Sequence, residues 1–375
     1  MAARSFMRLW SRFGARSGTR WFGAAAPAAG TATRFGSKLL LGAVGASAFA
    51  YAAHKYATED GVISTAYAAG KPEAQNSVFS QGKQHAVYVW IHLKPGADVK
   101  KCAHVAANIQ RIVDHVVPPK ESDDDEEIWA GVGFGPNFYH RAYGRSAPED
   151  YGYIERKGTN GDMPATGGDI FLHAKSNSVG NLFHLTKKFM NAFPEDSVDK
   201  FDDVYSFTYR FGRDLTGFID GTENPAAEDD RQAVAVDDHG GSYVITQRWI
   251  HQFDVIKKAS VDRQEAWIGR NKSDSTELRN KLKSSHVARI VGGTEFARPK
   301  PFQIVRQSMP FGSLSGDAGL FFIGYAASPK NFNYMLDRMV GADVDGIADG
   351  VMMMTKCVSG TYWYFPSKND LKKLA

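Results

Sequence analysis

The sequence predicts an α+β protein of two similar halves, each with an antiparallel sheet that carries helices on one face. Runs rich in β-branched and aromatic residues alternate with segments of helical spacing, and this rhythm occurs in both halves of the chain. The length of 375 residues also exceeds that of a typical single domain. We therefore expect one domain at 76–215 and a second at 216–375, with residues 1–75 outside the fold.

The first half contains two successive strand–helix–strand cycles. We predict strands at 86–93, 128–134, 169–173 and 204–211, and helices at 99–116 and 179–193. Between the cycles, residues 139–161 are polar, rich in Tyr and interrupted by Gly and Pro, which is typical of a long loop. Such a loop either lines a cleft or covers a sheet edge.

The second half returns to the same rhythm after residue 225. Its predicted strands are 243–250, 287–291, 302–306, 320–325 and 360–365. Helical spacing precedes Ile268 and recurs at 332–339.

Charge is distributed unevenly along the chain. Residues 1–58 hold eight of the 45 Lys and Arg residues and no Asp or Glu. The other 37 basic residues face 41 acidic ones, so the folded part is acidic overall and gives no support for nucleic-acid binding. The acidic run at 121–127 predicts a solvated loop, with a docking patch for a basic partner as the alternative.

The first twenty residues have the pattern of a mitochondrial presequence. Arg4, Arg8, Arg12, Arg16 and Arg20 recur every four residues, with apolar side chains between them and no acidic residue. An Arg-rich, acid-free, amphipathic segment is typical of such presequences. A basic helix on an anionic membrane surface and a basic tail are the alternatives.

An uncharged run follows at 39–53. As a helix it would cover roughly 22 Å, which is short of the ~30 Å hydrocarbon core of a bilayer. An Arg-rich part followed by a modest apolar part is typical of a two-part presequence. We therefore expect the inner membrane or intermembrane space of mitochondria, with membrane association through 39–53, and the matrix as the second choice.

Several common kinds of site lack sequence support. Cys102 and Cys357 are the two cysteines and lie far apart, which argues against a disulfide framework or a cysteine-built metal site. The sequence has no Walker loop, dinucleotide fingerprint, nucleophile elbow or His-Glu-x-x-His motif. Nucleotide-dependent and hydrolytic functions therefore lose their usual support.

The stretch 217–225, Gly-Phe-Ile-Asp-Gly-Thr-Glu-Asn-Pro, places an acidic residue beside apolar ones. Gly217 and Gly221 allow tight backbone geometry around Asp220. Burial raises the pKa of a carboxyl group toward neutral pH, where the group can both accept and donate a proton. Asp220 is therefore a candidate general acid/base. The alternative is a structural turn, because Asp-Gly and Asn-Pro are common turn signals.

A second informative stretch is 302–312. Alternation along a strand would put Ile304, Arg306 and Ser308 on one face. A guanidinium that faces a core needs an anion, which is either a structural salt-bridge partner or negative charge that develops in a reaction.

His286 completes the set of candidate residues. A lone histidine is more often a hydrogen-bonded or surface residue than a ligand. Together with Asp220 and Arg306, and without a second cluster of metal ligands, it suits haem, a cofactor that needs one axial nitrogen from the protein.

These motifs, in this order, resemble those of the dye-decolourising peroxidases, in particular the short, bacterial-like B type. The resemblance covers about 77–367 and includes Ser285-His286-Val-Ala-Arg289 and the tail 358–367. It implies two ferredoxin-like α+β domains of the dimeric α+β barrel type, with haem b held mainly by the second domain. It also implies oligomers, so a homo-oligomer is an expectation.

The resemblance assigns roles to individual residues. It implies that His286 is the axial haem ligand and that Asp220, Arg306 and Ser308 form the distal side, with Gly221 and Thr222 of the same motif contacting the cofactor. Many relatives have Asn where Ser308 stands, and the connection at 292–301 is longer than usual. Two further positions are expected to support the cofactor: Arg289 would pair with a haem propionate, and Asp349, or else Asp343 or Asp345, would accept a hydrogen bond from the histidine.

The predicted function is that of a haem peroxidase, which reduces hydrogen peroxide and oxidises an organic or protein donor in one-electron steps. A haem carrier or sensor, or an enzyme that acts on porphyrin itself, is the alternative, and a haem-free structural protein comes last. Trp249, Tyr362 and Trp363 are candidate electron relays, with core packing as the more ordinary role.

Overall fold

The computed structural model describes residues 73–79, 82–119, 126–290 and 302–375. The predicted presequence, the apolar run at 39–53 and most of the acidic run at 121–127 lie outside these residues. Contacts divide the chain into two units, 1–64 and 65–375, and the described residues all belong to the second. Among the residues that the structure describes, no helix has the length and apolar character needed to cross a membrane.

The described part of the chain contains nine strands. They are β1 (His85–Leu93), β2 (Trp129–Phe134), β3 (Ile170–Ser176), β4 (Val198–Phe207), β5 (Ser242–His251), β6 (Val305–Arg306), β7 (Met309–Gly312), β8 (Ala318–Ala326) and β9 (Thr355–Phe365).

Ten α-helices accompany these strands within the described ranges. They are α1 (Val99–Ala107), α2 (Ile109–Val116), α3 (Pro136–Tyr143), α4 (Val179–Asn191), α5 (Glu228–Ala235), α6 (Phe253–Lys258), α7 (Val261–Ile268), α8 (His286–Ile290), α9 (Lys330–Val340) and α10 (Lys368–Lys372). Short 3₁₀ turns lie at Asn76–Val78 and Gly350–Met353.

Both halves have the same antiparallel strand order, which confirms the predicted α+β fold class. The first half runs β4-β1-β3-β2, and the second runs β9-β5-β8-β7, so each half has its last strand at one edge, next to its first. Strand β6 also pairs with β8. Two contacts join the halves into a barrel-like sheet: Phe134 in β2 pairs with Tyr364 in β9, and Ser206 in β4 pairs with Phe311 in β7. The domain boundaries at 75 and 215 stay a prediction.

Alternation along the strands divides the core into two layers. In β1, Val87 and Val89 pack with the helices, whereas Tyr88 points into a cluster that also contains Phe321 and Trp363 from the second half. The barrel interior is therefore aromatic and shared by both halves. The outer face of the second sheet is left to contact α8 and α9.

Four predicted helices or strands differ from the structure in their ends or in the kind of element. The predicted strand at 287–291 is helix α8, because Ser285 caps it through the backbone N–H of Ala288. The predicted helix at 99–116 breaks at Asn108, whose side chain donates to the carbonyl of His104. The strand predicted at 204–211 instead spans Val198–Phe207, since Arg210 and Phe211 have left-handed backbone angles. Of the strand predicted at 302–306, only Val305–Arg306 is paired.

The polar stretch at 139–161 is a loop only in part. Helix α3 covers its first five residues, beginning with Pro136 in the first turn and ending before Gly144, which has a left-handed φ of 67°. In the remainder of this stretch, the ring of Tyr153 makes an edge contact with the ring of Tyr362 in β9.

Candidate functional site

A large cleft lies between the outer face of the second sheet and helices α8 and α9. It encloses about 1470 Å³, including its open mouth. Its walls are mainly apolar, with side chains from β5, β8 and α9 that include Ile245, Leu320, Phe322, Phe332, Met335 and Leu336. A concave site with such an apolar lining is typical of a small organic ligand or cofactor.

His286 is the first residue of α8 and lines this cleft. Its Nδ1 lies 2.8 Å from Oδ2 of Asp349, which is completely buried. The predicted partnership between His286 and Asp349 is therefore present. A carboxylate accepts the hydrogen on Nδ1, so Nε2 is left as the ring nitrogen that can bind a metal.

Asp349 is itself held in place by its neighbours. Its Oδ1 accepts the backbone N–H of Val351 at 2.8 Å, and its own backbone N–H donates to the carbonyl of Met339 at the end of α9. These bonds fix the carboxylate relative to both α8 and α9. The histidine ring consequently has a fixed orientation at the cleft wall.

Asp220 and Arg306 meet at another part of the cleft wall. Nη1 of Arg306 lies 3.4 Å from Oδ1 of Asp220, and the same oxygen accepts the backbone N–H of Gly221 at 2.6 Å. Gly221 has a φ of 81°, which favours glycine at this turn. The Asp220 side chain is 27% exposed and Arg306 is 19% exposed, so the carboxylate is less dry than the sequence predicts.

Asn224 joins the two motifs, and sequence reasoning missed it. Its side-chain oxygen accepts the backbone N–H of Arg306 at 2.9 Å, and its side-chain nitrogen donates to the carbonyl of the same residue at 2.7 Å. The Asn-Pro pair was interpreted only as a turn signal. Its useful feature is an amide that matches the donor and acceptor of one backbone residue.

A smaller cavity adjoins the cleft. It encloses about 500 Å³ and shares Asp220, Gly221 and Arg306 with the cleft. Ser308 lines this smaller cavity, and its Oγ accepts the backbone N–H of Ile323 at 3.3 Å. Ser308 therefore lies near Arg306 and lines the smaller cavity rather than the cleft. Thr222, by contrast, lines the cleft.

Arg289, which was predicted to pair with a haem propionate, does not line the cleft. Its side chain is completely buried, donates to the carbonyl of Arg338 and pairs with Asp343 and Asp345 at 2.8 and 2.7 Å. These pairs hold α8 to the loop after α9. They also engage the two aspartates that were the alternatives to Asp349.

Arg270 is a second guanidinium, besides Arg306, among the described residues that line the cleft. It pairs with Glu223 of the 217–225 stretch and with Glu277, and it donates to the carbonyl of Ser275 at 2.8 Å. The sequence carried no motif around Arg270, so only the folded structure reveals its place. Its charge at the cleft suits an anionic group on a ligand.

The three candidate relays are all buried, as packing roles require. Trp249 lines the cleft, while Tyr362 donates to the side-chain oxygen of Asn333. Trp363 packs in the barrel interior, where it stacks on Phe171.

The arrangement fits haem better than a free metal ion. Within the described ranges, no three His, Cys, Asp or Glu side chains cluster as ligands for a metal ion. One histidine with a buried carboxylate partner, apolar walls and an arginine at the cleft match a planar cofactor that brings its own equatorial nitrogens and carries carboxylates.

Comparison with known proteins gives one family. The family model described as "Dyp-type peroxidase, C-terminal" matches residues 212–370. The chain is 32% identical over 258 residues to a dye-decolorizing peroxidase of Mycobacterium tuberculosis, an alignment that covers 65% of this chain and 75% of that protein. A dye-decolorizing peroxidase of Rhodococcus erythropolis is also 32% identical, with 64% and 73% covered.

Solved structures of similar proteins agree with this result. A dye-decolorizing protein from V. cholerae has a TM-score of 0.70 and 32% identity, with 80% of this chain and 99% of that chain covered. A variant of Rhodococcus jostii RHA1 DypB in complex with heme has a TM-score of 0.72 and 28% identity, with 81% and 100% covered.

Replacing Asn224 should loosen the link between the two motifs. In Asn224→Ala, the backbone N–H and carbonyl of Arg306 lose their partners, so we expect the free energy of unfolding to fall by about 2 kcal/mol. Asn181 provides the control, because its side chain makes one exposed hydrogen bond, to the carbonyl of Glu126. Asn181→Ala should change the free energy of unfolding by less than about 0.5 kcal/mol. Urea unfolding measures both; equal effects would contradict the assigned link.

Proposed function

Because the chain belongs to the dye-decolourising peroxidase family, we propose that His286 holds the iron of haem b in the cleft and that Asp220 and Arg306 act on hydrogen peroxide. The protein is a haem-dependent peroxidase that reduces hydrogen peroxide with electrons from a reducing substrate. The observation that carries the assignment is the paired His286 and Asp349 in the same cleft as the Asp220–Arg306 pair.

The residues that would hold haem divide into three kinds. His286 would bind the iron through Nε2, and Asp349 would increase the electron-donating strength of the ring through Nδ1. The apolar side chains of β5, β8 and α9 would contact the porphyrin faces. Arg270, rather than Arg289, would pair with a carboxylate of the cofactor, because Arg270 lines the cleft.

When bound, haem supplies an iron that exchanges electrons with peroxide and with the donor. Asp220 transfers the proton. Its Oδ1 is occupied by Gly221 and Arg306, so Oδ2 is the oxygen that accepts a proton from one peroxide oxygen and returns it to the other. The oxygen that receives the proton would leave as water when the O–O bond breaks with electrons supplied by the cofactor. Arg306 stabilises the negative charge that develops on that oxygen.

The smaller cavity provides a route for peroxide. Its shared boundary with the cleft consists of Asp220, Gly221 and Arg306. A molecule that enters there meets the proton-transfer group and the cation before the apolar cleft. A haem carrier needs neither group, and their direct contact favours turnover over simple binding.

Residues 1–58 support a mitochondrial location as a further part of the proposal. Eight basic residues, no acidic residue and an uncharged run at 39–53 are the features that support import and contact with the inner membrane. A fluorescent protein fused to residues 1–75 should enter mitochondria, and a version with Arg4, Arg8, Arg12, Arg16 and Arg20 changed to Gln should not. Import of both versions would contradict the proposal. Homo-oligomer formation stays a prediction.

Haem retention should depend on His286. In His286→Ala the axial nitrogen is lost, so we expect the axial-nitrogen absorption spectrum to disappear and haem to be retained poorly. Asp349→Asn keeps the size of the side chain but removes its charge, and should weaken haem affinity by about 10-fold or more. Titration with haem measures both, and exposed His184 gives the control variant His184→Ala. An unchanged axial spectrum in His286→Ala would refute the ligand assignment.

The peroxide step should depend on Asp220 and Arg306. We expect Asp220→Asn to slow it by about 10²- to 10⁴-fold, because proton transfer is lost. Arg306→Leu should slow it by about 10²- to 10³-fold through loss of charge stabilisation. Stopped-flow absorption after mixing with peroxide measures the rate, and Asp317→Asn at an exposed carboxylate is the control. The assignment fails if both variants react at the wild-type rate.

A further inference from the structure

A second histidine lies in the cleft and takes no part in the function proposed above. His251 ends strand β5, and both His251 and Asp214 line the cleft while being only 8% exposed. Nε2 of His251 lies 2.8 Å from Oδ1 of Asp214, and Nδ1 lies 3.0 Å from Oγ1 of Thr355 at the start of β9. Both ring nitrogens therefore have defined partners.

The neighbours of the ring define its hydrogen bonds. The hydroxyl of Thr355 lies 3.0 Å from Nδ1 of His251 and 3.1 Å from the carbonyl of Ile250. Asp214 accepts the hydrogen on Nε2 and, through its other oxygen, the hydroxyl and backbone N–H of Thr216 at 2.5 and 3.0 Å. Three hydrogen bonds therefore hold the two carboxylate oxygens of Asp214, and one of them comes from His251.

The electrostatics of Asp214 agree with these contacts. Burial by itself raises the pKa of Asp214, but its interactions with His251 and its hydrogen bonds from Thr216 outweigh that effect. The pKa of Asp214 is therefore lowered below its ordinary value, and its neighbours favour the ionised carboxylate.

The contact between Asp214 and His251 fixes the loop that carries Asp220. The backbone N–H of Asp214 donates to the carbonyl of Phe218, and that of Gly217 donates to the carbonyl of Asp214, both at 2.8 Å. The backbone N–H of Asp220 then donates to Gly212 at 3.2 Å. The turn at 214–218 thus connects the sheet, through His251, directly to the segment that ends at Asp220.

We propose that the buried hydrogen bond between Asp214 and His251 is a positioning device that holds Asp220 in register with Arg306. Asp214, on the N-terminal side of Asp220, ties the loop to His251. Asn224, on the C-terminal side of Asp220, binds the backbone of Arg306. The pair touches neither peroxide nor the transferred proton. This inference rests on the proposed role of Asp220 in the peroxide step.

A double-mutant cycle in the haem-loaded full chain tests the proposal. Asp214→Asn removes the charge that holds His251, and we expect the peroxide step to slow by about 10-fold or more, because a small displacement of a catalytic group costs this much. In an Asp220→Asn background, Asp214→Asn should cause no further slowing, because the group through which it acts is gone. Further slowing in that background would overturn the proposal.

Asp237 provides the matched control. It is also 8% exposed and accepts bonds from two loop N–H groups and from Tyr364, but it does not line the cleft. Asp237→Asn should slow the peroxide step by less than about 3-fold, even where it lowers stability as much as Asp214→Asn. Equal slowing in the two variants would mean that Asp214 acts only through general stability, and would overturn the proposal.

Two measurements besides the rate separate the outcomes. The dissociation constant for haem should change by less than about 3-fold in Asp214→Asn, because His286 and Asp349 are untouched; a parallel loss of haem would make Asp214 a cofactor-binding residue and overturn the proposal. A crystal structure of the haem-loaded variant should show the Asp220 carboxylate displaced from Arg306. If Asp220→Asn reacts at the wild-type rate, the proposed role of Asp220 fails and the positioning role fails with it. If Asp220→Asn is slow but Asp214→Asn reacts at the wild-type rate, the positioning role alone fails.

Discussion

The buried hydrogen bond between His286 and Asp349 is the interaction on which the rest of the site depends. A carboxylate loses most of its hydration when it is completely buried, and it remains only where other groups satisfy its oxygens. Here the ring of His286 and the backbone of Val351 do so, while the backbone of Asp349 is tied to the end of α9. The same contacts that satisfy the carboxylate therefore set the position and the free nitrogen of the histidine. Asp349 thereby connects the two helices that border the cleft, in addition to the contact between Arg289 of α8 and Arg338 of α9.

The reacting groups are held by different elements. Asp220 belongs to a loop anchored to β5 through Asp214 and His251, and Arg306 belongs to β6, where Asn224 holds its backbone. None of these anchors involves His286 or Asp349. The consequence is a physical separation between retention of the cofactor and chemistry on peroxide. A change in one set of anchors can leave the other intact, so the two properties can be measured independently.

The sequence predicts the fold class and the three residues His286, Asp220 and Arg306 that line one cleft, because strand composition and short motifs are local signals. Strands rich in β-branched and aromatic residues, such as β1 and β5, were placed within a residue or two. Predictions failed where a distant partner decides the outcome. Val287 and Ile290 favour a strand by composition, but the cap at Ser285 makes a helix. Arg289 was assigned to a cofactor, although it is paired with aspartates more than fifty residues away.

The central claim is that one cleft holds haem through His286 and presents Asp220 and Arg306 to peroxide. A crystal structure of the full chain loaded with haem tests it most directly. The account predicts a bond from Nε2 of His286 to the iron, with Nδ1 still paired to Asp349, Arg270 beside a haem carboxylate, and Asp220 and Arg306 facing the free coordination position. An iron bound by a different side chain, or Asp220 and Arg306 on the same face as His286, would contradict it.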